Sequence, residues 1–362
     1  MNKNFWNELS QQGPIVALAP MDGYCDSAFR QINKHIAPHI IPFSEFYSAD
    51  GLVHSKELAN KVLPHAESEK PLIIQIFGKD PEKFKQAAIL IESYGVSWID
   101  INMGCPAKKV VKSGHGSSLM INRDTAFKIV EEMSKAVNIP ISLKTRLGWE
   151  NHDLLIDFRK SLENAWANLI TVHGRTYKQA FAGKADFTGI YELRQALNIP
   201  VLCNGDVIDY ADGIEKILHP INRTSTIFSW DERLRDEKSH QNPRNLDGFM
   251  IGRGCFGNPW SFCIDWHKPT LEEILQTMEL HAQLLIETKW AKWALEIRKH
   301  LVQYLHGFSG VKEYRTQLVH TEKLEDVLNV TKTIRKEHTD KLNTILINNK
   351  EKLMEIWDQC SG

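Results

Sequence analysis

Eight short apolar runs, each closing on polar residues, glycine or proline, limit what this chain can fold into more than any other feature. They are Ile15–Pro20, Ile40–Phe46, Leu72–Gly78, Trp98–Gly104, Ile141–Gly148, Leu169–Arg175, Val201–Asp206 and Gly248–Gly254. Runs this rich in Val, Ile and Leu mark strands covered on both faces, as parallel strands are. Amphipathic helical patterns lie between them at Pro81–Tyr94, Arg123–Val137, Asp153–Asn164, Ile190–Leu197 and Tyr210–Leu218. Asp80-Pro81 and Asn122-Arg123-Asp124 read as helix starts, the first with proline at the opening helical position. Strand and helix alternating in this way predict an α/β fold, a (β/α)8 TIM barrel. An open doubly wound sheet is the competitor, but no G-x-G-x-x-G follows the first strand.

With 362 residues the chain exceeds the roughly 250 that a barrel needs. From about Thr270 the strand runs stop and only helical stripes remain: Leu271–Trp293, Ala294–Leu305, Leu318–Arg335 and Asp340–Trp357. The expected division is a barrel over residues 1–265 and an all-helical domain over 266–362. The mixed-charge stretch 219–245 reads as a loop insertion. A formal net charge of -1 gives no global argument for a nucleic-acid partner and leaves a local basic patch open. The six cysteines form no C-x-x-C pair and no zinc spacing, so neither a disulfide framework nor a metal is expected. No apolar run approaches the roughly 20 residues that span a bilayer, and the start lacks the apolar core of a signal peptide. A cytoplasmic monomer with no membrane contact is the expectation.

In such barrels the chemistry sits where the strands end. There Cys105 stands between Gly104 and Pro106, followed by a loop with Lys108, Lys109, Lys112, His115 and two glycines that suits closure over a polyanion. A lone cysteine as readily fills space. The ends of the last two runs, Asn204-Gly205-Asp206 and Gly252-Arg253-Gly254, carry glycines and a guanidinium where this fold habitually binds phosphate.

Together these segments resemble the tRNA-dihydrouridine synthases of bacterial type. The resemblance rests on Ala19-Pro20-Met21-Asp22-Gly23, Gln75-Ile76-Phe77-Gly78, Asp100-Ile101-Asn102-Met103-Gly104-Cys105-Pro106, Lys144-Thr145-Arg146-Leu147-Gly148-Trp149, His173-Gly174-Arg175-Thr176, Asn204-Gly205-Asp206 and Met250-Ile251-Gly252-Arg253-Gly254, in family order. Cys25 departs from it, standing where the family commonly has Thr. The resemblance implies an FMN enzyme that reduces D-loop uridine in tRNA with NADPH as reductant. It implies flavin contacts at Pro20, Met21, Asp22, Gln75, Lys144, His173, Asn204, Gly205, Asp206, Gly252 and Arg253. It implies Cys105 as proton donor, Asn102 and Arg146 at the uracil, and Phe181 near the target base. The helical domain would then grip the tRNA. An FMN barrel acting on a free pyrimidine or other small molecule is the alternative. A flavin-independent isomerase or lyase on the same fold, and an idle tRNA binder, stand further off.

Overall fold

The computed structural model describes residues 5–152, 155–218, 245–289 and 292–345. Its centre is a closed barrel of eight parallel strands: β1 (Ile15–Leu18), β2 (Ile41–Ser48), β3 (Ile73–Phe77), β4 (Trp98–Met103), β5 (Ile141–Arg146), β6 (Leu169–His173), β7 (Val201–Asn204) and β8 (Gly248–Ile251). Each strand pairs with the next, and β8 closes on β1 with Ile15 opposite Gly248 and Leu18 opposite Ile251. The (β/α)8 expectation holds, and each apolar run of the sequence marks one strand, β2 extending two residues beyond Phe46.

Alternation along the strands decides where the site lies. Successive side chains point to opposite faces, so every second residue enters the barrel. At the end where the strands begin, those inward residues are apolar: Ile15, Ile41, Ile73, Trp98, Leu169 and Leu202 share one buried cluster. The helix Phe5–Gln12 seals this end, its buried Trp6 ring 4.9 Å from Trp98. Two or four residues further along β3, β4, β6 and β7 the inward positions turn polar, as Gln75, Asp100, Asn102, Thr171, His173 and Asn204, and β5 adds Lys144. The barrel is therefore closed and greasy at one end, open and polar at the other.

The outward residues of the strands pack under the surrounding helices in a second, larger apolar cluster. Asp80 caps the helix Pro81–Ser93 by accepting from the Glu82 and Lys83 N–H groups, as its sequence signature suggests. A helix at Ser27–Ile36 and two short ones, Ala49–His54 and Lys56–Val62, lie outside the helical patterns named from the sequence.

Beyond the barrel, helices Leu271–Lys289, Trp293–Tyr304, Val311–Leu318 and Leu324–Glu337 share a further core that also takes in Ala28 and Trp260. The continuous helix expected over Leu318–Arg335 is instead broken at Val319–Lys323. The Asp326 carboxylate accepts from the Glu322 and Lys323 N–H groups and Arg298 holds the Thr321 carbonyl, which fixes a turn there. The helix expected from Asp340 is not formed over 340–345, where Ile345 makes an antiparallel bridge with Thr270; the rest of it and residues 219–244 lie outside the described residues. No helix among the described residues is long and apolar enough to cross a membrane.

The helical layer is tied to the barrel mouth at Asp26. One carboxylate oxygen caps Ser27–Ile36 by accepting from Phe29 N–H (2.9 Å), and the other pairs with Lys289 (3.0 Å). Asp26→Ala removes the cap and leaves Lys289 without this partner. It should cost about 2 kcal/mol, read as a lower urea midpoint; an unchanged midpoint would show that this tie carries no stability.

Candidate active site

The open end of the barrel holds a cavity of about 710 Å³, within the range of cofactor sites. Of the fifteen residues singled out from the sequence, fourteen line it: Pro20, Met21, Asp22, Asn102, Cys105, Lys144, Arg146, His173, Phe181, Asn204, Gly205, Asp206, Gly252 and Arg253. Gln75 does not. It is fully buried behind the wall, its amide donating to Asp100 (2.7 Å) and accepting from Asn102 (2.8 Å). The structure thus places Gln75 behind the residues that line the cavity and not among them.

Cys105 follows β4 on a tight loop. The Asn102 side-chain oxygen accepts from the Gly104 (3.2 Å) and Cys105 (3.0 Å) N–H groups, folding the chain back as the strand ends. Gly116, at φ +58, comes so close that a Cβ there would sit 3.1 Å from the Cys105 Cβ. Only glycine meets both demands. Burial raises the thiol pKa above its ordinary value, although the Ala107 N–H and the Arg146 and Lys144 cations pull the other way. The sulfur is therefore a neutral thiol at pH 7, half-buried and facing the cavity.

Cations gather on the neighbouring strands. Burial, with the Arg146 charge nearby, lowers the Lys144 pKa to about 8, and Asp100 offsets only part of this. Such an ammonium favours an anionic ligand beside it. His173 is half-buried, and its desolvation together with Lys144, Arg146, Arg175 and Arg253 keeps the imidazole neutral. Its Nδ1 is buried without a hydrogen-bond partner among the described residues. Opposite, a Cβ at Gly252 would meet only Ala19 and Met21 at 3.7 Å, so glycine here relieves no protein clash and instead leaves room in the cavity.

Two arginines shape the rim without offering themselves wholly to a ligand. Arg146 donates to the carbonyls of Gly104 (2.7 Å), Thr176 (3.2 Å) and Ala180 (2.6 Å). Arg175 donates to Gly183 and to both oxygens of Asp206 (2.9 Å each). Asp206 in turn accepts from Ala185 N–H (2.7 Å). These bonds latch the loop 176–185, which holds exposed Phe181 over the cavity with the Arg146 guanidinium 5.5 Å from its ring centre. Arg175 belongs to the site although its motif alone marked it only as a strand end. Tyr24, Phe46, Phe256 and Gln303 also line the cavity. Tyr24 stacks on Phe256 at 4.2 Å. Gln303 comes from the helical layer, and no local pattern in the sequence links it to the barrel mouth.

A thiol, a cluster of cations and two glycine-bearing strand ends surround one cavity, and together they define an α/β-barrel enzyme with its site at the open end. Among the described residues no group of three or more His, Cys, Asp or Glu is arranged to hold a metal. The family model for dihydrouridine synthases (Dus) matches residues 17–222 and 226–339. A probable tRNA-dihydrouridine synthase 1 from Synechocystis is 31% identical over 340 residues, covering 90% of this chain and 89% of that protein. A probable tRNA-dihydrouridine synthase from Staphylococcus aureus is 31% identical over 336 residues, covering 90% of this chain and 94% of that one. The chain belongs to the dihydrouridine synthase family, and is an oxidoreductase.

Proposed function

We propose that this chain reduces the C5=C6 bond of a D-loop uridine in tRNA, with FMN as bound cofactor and NADPH as reductant. The observation that carries the reading is the pairing, in one cavity wall, of a neutral thiol with the cationic Lys144 pocket next to it. Saturating a pyrimidine double bond takes a hydride and a proton, and reduced FMN supplies the hydride that no side chain can donate. The cavity suits that group. Gly205, Gly252 and Arg253 would hold its phosphate, where Gly252 leaves space, and His173 has a buried ring nitrogen to satisfy. Lys144 would face the part of the ring that gathers negative charge.

The protein's own groups do the rest. Cys105 delivers the proton to C5. Asn102 and Arg146 orient the uracil, and Phe181 stacks on it or on its neighbour. The target base must leave the tRNA stack to reach the mouth, at a cost of a few kcal/mol. Helices from residue 266 onward act as the domain that grips the tRNA body, by shape and phosphates, while residues 1–265 carry the chemistry. A chain with this substrate works in the cytoplasm.

The test is to purify the chain, record its flavin absorbance, and treat unmodified tRNA with it and NADPH. Mass spectrometry should find D-loop uridine heavier by two hydrogens. A colourless protein that takes up no FMN, or unchanged tRNA, would overturn the reading; reduction of free uracil alone would favour a small-molecule enzyme. Phe181→Ala should raise KM for tRNA about tenfold with a smaller change in kcat, since stacking of one base contributes roughly 1–3 kcal/mol. An unaltered KM would take Phe181 out of base binding.

A further inference from the structure

A hydrogen-bond chain crosses the upper barrel beneath the thiol loop. Ser142 Oγ donates to Asp100 Oδ1 (2.7 Å) and Gln75 Nε2 donates to Asp100 Oδ2 (2.7 Å). Asn102 Nδ2 donates to Gln75 Oε1 (2.8 Å), and Asn102 Oδ1 accepts from Gly104 and Cys105 N–H. Asp100, Gln75 and Ser142 are completely buried. No bulk water can replace a lost partner there.

The direction of the chain is set at its cavity end. A backbone N–H can only donate, so Asn102 must turn its oxygen to Gly104 and Cys105 and its nitrogen to Gln75. Gln75 must then turn its oxygen to Asn102 and its nitrogen to position 100. The chain needs an acceptor at that far end. A carboxyl supplies one in either protonation state, because the Ser142 hydroxyl can donate to the other oxygen or accept from it.

We propose that Asp100 is a positioning residue for the reaction: through Gln75 it holds the Asn102 carboxamide in the one orientation that pins the Cys105 loop in the cavity wall. Asp100 itself does not reach the cavity. Without it, the Gln75 Nε2 donor is buried unpaired, and a flip of Gln75 that relieved it would force Asn102 to flip as well and present N–H to N–H at Gly104 and Cys105. The inference rests on the role of Cys105 proposed above.

Asp100→Leu keeps the branched shape, with greater bulk, and removes the acceptor. Asp100→Asn keeps it, with its oxygen toward Gln75 and its nitrogen donating to Ser142. The leucine variant should lose about 10- to 100-fold in kcat with KM for tRNA little changed, the scale expected from displacing a reacting group by about 1 Å. The asparagine variant should recover most of that rate. Independently of any turnover, iodoacetamide should alkylate Cys105 faster in Asp100→Leu than in wild type or Asp100→Asn, read on the Cys105 peptide by mass spectrometry. This second readout separates the two proposals: it reports the loop even if Cys105 proves not to be the proton donor. If Asp100→Leu does not fold, Gln75→Leu breaks the same chain one link nearer the thiol and should show the same kinetics. Wild-type alkylation and turnover in the folded leucine variant, or an asparagine variant as damaged as the leucine one, would overturn the assignment.

Discussion

Cys105→Ala is expected to lower kcat for tRNA reduction by about 10²–10⁴-fold, the usual contribution of a positioned general acid, while the protein stays folded and binds flavin. The loss is confined because the sulfur faces the cavity, whereas the loop is held by backbone bonds to Asn102 that alanine keeps. The acid must carry its proton to act. Burial keeps the Cys105 pKa above its ordinary value, so the rate should be flat through neutral pH and fall only as pH climbs through that raised pKa. Cys105→Ser keeps a proton but on a far weaker acid, and should recover little. Single-turnover reduction of tRNA by the prereduced enzyme measures the step directly. Wild-type turnover by the alanine variant would remove the thiol from the mechanism and return it to the packing role that a lone cysteine so often has.

Much of this site was legible because a barrel strand carries its own address. Wherever an apolar run ended in polar residues two apart, the last inward positions had to face the mouth. Asn102, Lys144, His173 and Asn204 follow from that rule without reference to any relative. What escaped was information the alternation does not carry. Gln75 obeys the same inward phase, yet β3 leaves it flanked by Asp100 and Asn102, and its amide is taken up by the wall. Arg175 points to Asp206 across β6 and β7, a partnership fixed by strand order and not by spacing in the chain. Gln303 enters from helices tied to the barrel mouth through Asp26 and Lys289, 263 residues apart in sequence. The helical stripes show the same limit: periodicity marked Leu318–Arg335 as one helix, but Asp326, with Arg298 on the Thr321 carbonyl, holds a turn within it.

Lys144→Met should produce effects of opposite sign on the empty protein and on the flavin-bound one. In the folded protein the Lys144 pKa lies near 8 against a usual value of 10.5, mainly through burial. The sign follows from the protons bound. Below about pH 8 both folded and unfolded chains carry the proton, so the whole cost of burying the charge is present; between that point and the unfolded value the folded chain alone has shed it, and stability rises with pH. Replacing the ammonium by a thioether of similar length therefore stabilises flavin-free protein at neutral pH, by something on the order of 1–3 kcal/mol. The same change removes the charge that would meet an anionic ring, and FMN affinity should fall about 10- to 100-fold. Thermal melts of stripped protein and fluorescence titration with FMN read the two halves separately. A variant whose stripped form melts lower, or which binds FMN as tightly as wild type, would mean that the buried charge is matched within the protein and is not kept for a ligand. Tolerating an unfavourable charge in the empty fold makes physical sense only where a bound anion later offsets it.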